Sequence, residues 1–213
     1  MSSDQANPIR KLVVAPHCDD EVLGCGGLLA KYAEDCGVVV LAQPDPLRHK
    51  EFEEARDVLG YPASWFLDLP DGSVGADMTT LVGMIDRIID TCRPDEIYLP
   101  FPSLHQDHVA AYEAGMRASR MAMGTRHWFT PTVLVYDVAA YDLTLYPTNL
   151  LWNYFESLTE DQVDRKAEAF ACYQSQVASG PHACNELKAT ARSLGSQRQT
   201  TFAEQYALVR TIR

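Results

Sequence analysis

Two polar clusters carry the residue types that metal-assisted hydrolysis requires. Pro16-His17-Cys18-Asp19-Asp20-Glu21 holds one imidazole and three carboxylates, and His105-Gln106-Asp107-His108 adds two imidazoles and a carboxylate. Three acidic groups in a row repel one another unless a cation or hydrogen bonds compensate them. Imidazole nitrogens with one carboxylate oxygen make a three-ligand set suited to Zn²⁺, leaving a fourth position for water. Such an ion lowers the pKa of bound water to about 7 and polarises a carbonyl oxygen. A further carboxylate can take the proton of that water, and a histidine can give one to a leaving amine. The competing reading of the first cluster is an acidic helix start favoured by the helix dipole. For His105 and His108 it is a chance spacing on a helix face. Two such clusters in one crevice favour the metal.

The elements around the clusters give that crevice. Leu12–Ala15 is an uninterrupted apolar run, as expected of a strand buried on both faces. Further strands read at Val38–Ala42, Ser64–Leu67, Glu96–Pro100 and Thr132–Asp137. Helical patterns fall at Val22–Asp35, Arg48–Leu59, Met78–Cys92 and Glu160–Gln174, with Gly60 as a stop for the second. Strands alternating with helices indicate parallel βαβ units. The expected fold is a single Rossmann-like α/β domain, 1–213, with a mostly parallel sheet, helices on both faces and residues 1–10 as a loose lead. With the common strand order 3-2-1-4, the strands preceding the two clusters are neighbours at the reversal point where open sheets bind ligands. Beyond about residue 140 the pattern is less regular.

The bulk properties exclude several functions. A chain of 213 residues with 46% hydrophobic and 22% charged residues is an ordinary globular composition. Its net charge of −11 repels nucleic-acid phosphates and anionic lipid, so neither is an expected partner. No run is long and apolar enough for a membrane span. The polar start lacks a signal-peptide pattern, and the six cysteines form no CxxC pair, which points to reduced thiols in the cytoplasm. Oligomeric state is not readable. Gly24-Cys25-Gly26-Gly27 lacks the spacing of a dinucleotide fingerprint, since Leu29 stands where glycine or alanine belongs. These glycines are expected to bring a helix close to the sheet.

"PHCDDEVLGCGG" and "HQDH" resemble the two signatures of the PIG-L/LmbE-like de-N-acetylases, usually written PHPDDE and HxDH. Arg48 and Glu51, "LPDG" at Leu69–Gly72 and "KAEAFACYQSQ" at Lys166–Gln176 extend the resemblance. It implies that His17, Asp20 and His108 ligate zinc, with Fe²⁺ and Co²⁺ as metals accepting similar ligands. It implies Asp19 as general base, His105 as the group that steadies the oxyanion and serves the leaving amine, and Asp107 as the carboxylate orienting an imidazole. Arg48 and Asp71 match substrate-contacting positions; a guanidinium fork and a carboxylate both suit sugar hydroxyls. The implied reaction is removal of an acetyl group from the nitrogen of a small sugar-like substrate. The rivals are an amidase for larger acyl or thiol-conjugate amides, a zinc- or sugar-binding module without turnover, and, more distantly, a dinucleotide enzyme.

Cys18 stands where the motif has proline, and we read it as a small spacer; a thiolate ligand there would close the open coordination position. His49, His127 and His182 read as structural or surface groups, Asp71 also suits a plain turn, and Tyr173 and Gln176 read as packing and capping residues. Specificity is expected in the loops near 43–50, 68–78 and 140–155.

Overall fold

The sheet is organised by β1 (Lys11–Ala15), which pairs in parallel with β2 (Cys36–Ala42) on one side and β4 (Glu96–Pro100) on the other. The structure is a computed structural model that describes residues 9–121, 127–138, 148–177 and 184–212. β3 (Ala63–Leu69) extends the sheet beyond β2, and β5 (Thr132–Tyr136) extends it beyond β4, both in parallel. β7 (Phe202–Arg210) then runs antiparallel between β5 and β6 (Trp152–Leu158), giving the order β3-β2-β1-β4-β5-β7-β6. The expected 3-2-1-4 core is therefore present, within a mostly parallel sheet whose far end is antiparallel.

Side-chain alternation along the strands divides the core into two layers. Val13, Ala15, Val38 and Val40 face α1 (Asp20–Lys31), α2 (Pro46–Leu59) and α5 (Glu160–Cys172). Leu12, Val14, Val39 and Leu41 face α3 (Met78–Cys92) and α4 (Gln106–Ala118). Helices α6 (Gln174–Val177) and α7 (Cys184–Ser196) follow α5, and α7 packs on β7. The helix starts are set by local chemistry. Asp45 accepts the Arg48 amide, Asp77 accepts the Thr80 amide, and Thr159 with Gln162 forms a capping box. Gly60 ends α2 at φ 79°, as expected of its stop residue.

Several expected boundaries move. The first helix starts at Asp20 rather than Val22 and ends at Lys31, with Ala33–Asp35 as a separate 3₁₀ turn. The fourth predicted helix ends at Cys172, and Gln174–Val177 is a separate turn of helix. Ile9 is buried and the Arg10 amide donates to the Asp35 carbonyl, so the end of the expected loose lead is anchored. The close approach of α1 to the sheet is as read from its glycines: a Cβ on Gly24 would lie 2.0 Å from the Tyr136 ring, and one on Gly27 would lie 2.3 Å from Leu158. Among the described residues no helix is long and apolar enough to cross a membrane.

The same stretch of α1 receives a buried ion pair. Lys166 Nζ lies 2.6 Å from Glu204 Oε1 and donates to the Leu23 carbonyl, whose usual helical partner is the amide of Gly27. The Gly27 and Leu28 amides donate to the two Glu204 oxygens, each at 2.8 Å, and the Tyr206 hydroxyl donates to the same carboxylate. One turn of α1 is thus gripped from α5 and β7 together.

Candidate metal and catalytic site

Both polar clusters leave the carboxyl ends of adjacent strands. The register aligns Lys11 with Glu96 and Val13 with Tyr98, so the segments after Ala15 and after Pro100 emerge side by side. The three imidazoles converge there: ring centroids lie 4.9 Å apart for His17 and His105, 5.5 Å for His17 and His108, and 5.4 Å for His105 and His108. Asp20 Oδ2 sits between two of them, 3.3 Å from His17 Nδ1 and 3.4 Å from His108 Nε2. His17 Nε2 faces Asp107 at 3.1 Å and Asp71 at 3.3 Å.

Two overlapping groups have donor atoms within 4.8 Å of one another: His17 with Asp20 and His108, and His17 with His105 and Asp107. Their chemistry separates them. Both Asp107 oxygens accept loop amides, Oδ2 from Gly72 at 2.7 Å and Oδ1 from Val74 at 3.0 Å. In the second group His105 Nδ1 accepts the Asp107 amide at 3.2 Å as the cap of α4. Asp20 Oδ2 accepts one amide, that of His17, and otherwise faces imidazoles. Two imidazoles and one carboxylate suit Zn²⁺ and related divalent ions. The donor set of the first group fits such an ion.

The electrostatics agree. Burial pushes the Asp20 carboxyl up, but His108 and His17 outweigh it and hold it below its usual range. Burial lowers the His108 imidazole, with His17 and His105 adding to that against Asp20 and Asp107. Burial also pulls His17 down, yet Asp20, Asp107 and Asp71 together raise it to about 9. A position that stabilises a proton so strongly among carboxylates is one where a divalent ion would displace that proton.

Asp19 lies beside this group and takes an unusual backbone conformation, φ 110° and ψ −30°, at the turn from β1 into α1. Burial and the Asp20 charge raise its pKa well above the usual carboxylate range, against Arg48, whose Nη1 is 3.5 Å from Asp19 Oδ2. Arg48 also lies over the Tyr173 ring at 5.9 Å. His17, Cys18, Gln43, Asp45, Arg48 and Asp71 line a polar cleft of about 220 Å³. All eight residues singled out from the sequence thus gather at one place, with Asp71 on its exposed rim.

Cys18 is buried and its sulfur belongs to neither of the two donor groups, which favours the spacer reading. His49 stacks on Phe66 and His127 faces Asp86 and Asp90, so both are structural, while His182 and residues 140–147 lie outside the described residues. Sequence reasoning missed one participant. The Tyr173 hydroxyl donates to Glu21 Oε1 at 2.5 Å, and Glu21 Oε2 accepts the Asp19 amide at 2.9 Å. The signal lay in the first motif itself, whose third carboxylate had no assigned partner.

An open α/β sheet with a His/Asp cluster of this donor set at its switch point presents a candidate metal site where such sheets bind ligands. Residues 12–119, which include both clusters, match the GlcNAc-PI de-N-acetylase (PIG-L) family, and the chain belongs to that family of deacetylases. It is 26% identical over 180 residues to the uncharacterized deacetylase YaiS of Escherichia coli (strain K12), covering 77% of this chain and 90% of that protein. It is 28% identical over 167 residues to the 1D-myo-inositol 2-acetamido-2-deoxy-alpha-D-glucopyranoside deacetylase of Kineococcus radiotolerans, covering 55% of this chain and 46% of that enzyme. Among solved structures, a conserved protein of Thermus thermophilus is similar over 96% of both chains, with a TM-score of 0.79 and 26% identity.

Proposed function

We propose that the chain hydrolyses the N-acetyl amide of an amino-sugar conjugate, using a divalent ion, zinc in the first instance, held by His17, Asp20 and His108. The observation that carries this reading is the convergence of those three donors with the half-buried Asp19 carboxylate beside them. A bound divalent ion would supply Lewis-acid polarisation of the acetyl carbonyl and lower the pKa of the attacking water. Asp19, held within 3.5 Å of Arg48 Nη1 beside the three donors, takes the proton of that water. His105 supports the developing oxyanion and delivers a proton to the departing amine. Asp107 ties His17 to the 72–74 loop and so fixes both ring orientation and the edge of the cleft. Arg48 and Asp71, which both line the polar cleft, are suited to sugar hydroxyls.

The test is acetate release by zinc-loaded protein over a panel of N-acetylated amino sugars, with longer N-acyl chains alongside. Asp19→Ala is expected to lower kcat by about 10²–10⁴-fold while zinc content stays at the wild-type level. Wild-type turnover in Asp19→Ala would remove the base from this scheme. Release of longer acids in preference to acetate would redirect it to the amidase reading.

A further inference from the structure

Asp19 should not hold its backbone conformation unaided. A non-glycine residue in the positive-φ half of conformational space costs about 1–3 kcal/mol and persists only where its surroundings over-determine it. At φ 110° Asp19 is such a residue. It is clamped from both ends. Its carbonyl accepts the amides of Val22 and Leu23, at 3.0 and 2.9 Å, as α1 begins. Its amide donates to Glu21 Oε2 at 2.9 Å. Glu21 is fully buried and cannot swing to solvent, and its other oxygen takes the Tyr173 hydroxyl at 2.5 Å. Tyr173 is also fully buried, at the end of α5. Ser175, two residues on, donates through both its amide and its hydroxyl to Glu51 on α2, at 2.9 and 2.6 Å. The brace therefore runs from α2 and α5 through Tyr173 and Glu21 to the backbone of Asp19.

We propose that Glu21, braced by Tyr173, is a positioning residue that imposes the Asp19 backbone conformation and thereby aims its carboxylate at the reacting water. This rests on the reading of Asp19 as the base. Relaxing φ at Asp19 would swing its side chain away from Asp20 and the imidazoles, and a misplacement of about 1 Å can cost about 10²-fold in rate. Glu21 touches no reacting atom, so the loss belongs in kcat and not in KM or in metal content.

The experiment uses the zinc-loaded full chain and the substrate that wild type turns over best. Tyr173→Phe removes one hydroxyl and leaves the packing; it is expected to lower kcat about tenfold with KM unchanged. Glu21→Ala is expected to lower kcat about 100-fold, and Glu21→Gln, which keeps an acceptor oxygen for the Asp19 amide, recovers about tenfold of that. In an Asp19→Ala background, Glu21→Ala is expected to cost nothing further, because it acts through the missing group. Hydrogen exchange at the Asp19 amide, followed by NMR, is expected to speed up at least tenfold in Glu21→Ala without any appeal to activity. Additive losses in the double variant, an equal fall in zinc content, or unchanged exchange would each overturn the positioning role. Wild-type protein that releases no acid from any N-acyl substrate would overturn the base reading first and this role with it.

Discussion

Replacing Lys166 by methionine tests how much the grip on α1 contributes to the fold. Methionine keeps the length and most of the volume of the buried stem, so little cavity term is added. The substitution leaves Glu204 buried without its cation, and removing one member of a buried pair costs about 3–5 kcal/mol. Glu204 retains the Gly27 and Leu28 amides and the Tyr206 hydroxyl, which places the cost near the lower end of that range. The Leu23 carbonyl also loses a donor, adding about 1 kcal/mol. The expected loss is therefore about 3–4 kcal/mol, a large share of the roughly 5–15 kcal/mol typical of a domain. Urea unfolding followed by circular dichroism measures it. With a slope of about 2 kcal/mol/M the midpoint should fall by about 1.5–2 M. Apolar replacement of both partners often restores stability. Here Lys166→Met with Glu204→Leu should not, because the amides of α1 would lose their carboxylate. A midpoint shift below about 0.3 M in the single variant, or recovery in the double, would refute the reasoning.

Burial raises the Asp137 carboxyl from 3.8 to about 6, with Lys166 opposing. The folded chain then holds that proton more tightly than the unfolded one, so the stability this group contributes is fully present below about pH 4 and is lost as pH rises through 6. Asp137→Asn should remove this loss and be more stable than wild type at pH 7 by on the order of 2 kcal/mol, read as the difference between urea midpoints across pH. Cys18→Ala should keep zinc content and acetate release near wild type, as measured by elemental analysis and assay; a loss of metal would make Cys18 a ligand. Gly24→Ala would place a methyl 2.0 Å from the Tyr136 ring and should cost about 1–3 kcal/mol in thermal unfolding.

The parts of the fold legible in the sequence are those where apolar residues alone decide. Met78–Cys92 is a helix with the boundaries its pattern gives, because Leu81, Ile85, Ile88 and Ile89 face the sheet and the other side faces water. The helix 106–118 is not legible in the sequence, since its buried face is Ala110, Ala111, Ala114, Gly115 and Ala118, too small to stand out. Strands 152–158 and 202–210 were missed for another reason. They bury Glu156 and Glu204, which reach Lys31 and Lys166 across the packing, and a pattern reader scores buried carboxylates as surface. The same blindness moved the start of α1, where Asp20 and Glu21 point inward to His17, His108 and Tyr173. The site residues were legible because their chemistry is carried by type and order, and the strand order brings them together. The brace on Asp19 was not, because its partner lies more than 150 residues away.

The insertion of β7 has a consequence for how the protein is made. The strand that closes the sheet between β5 and β6 follows every other strand of that sheet in the chain, and it carries the carboxylate that holds the helix opening with Asp20. At about 5–20 residues per second, a nascent chain that already contains every proposed metal ligand must wait several seconds for that strand. During that interval β5 and β6 show open edges to their surroundings. Any ion taken up at the proposed site is thus expected to be held firmly only after β7 has joined the sheet.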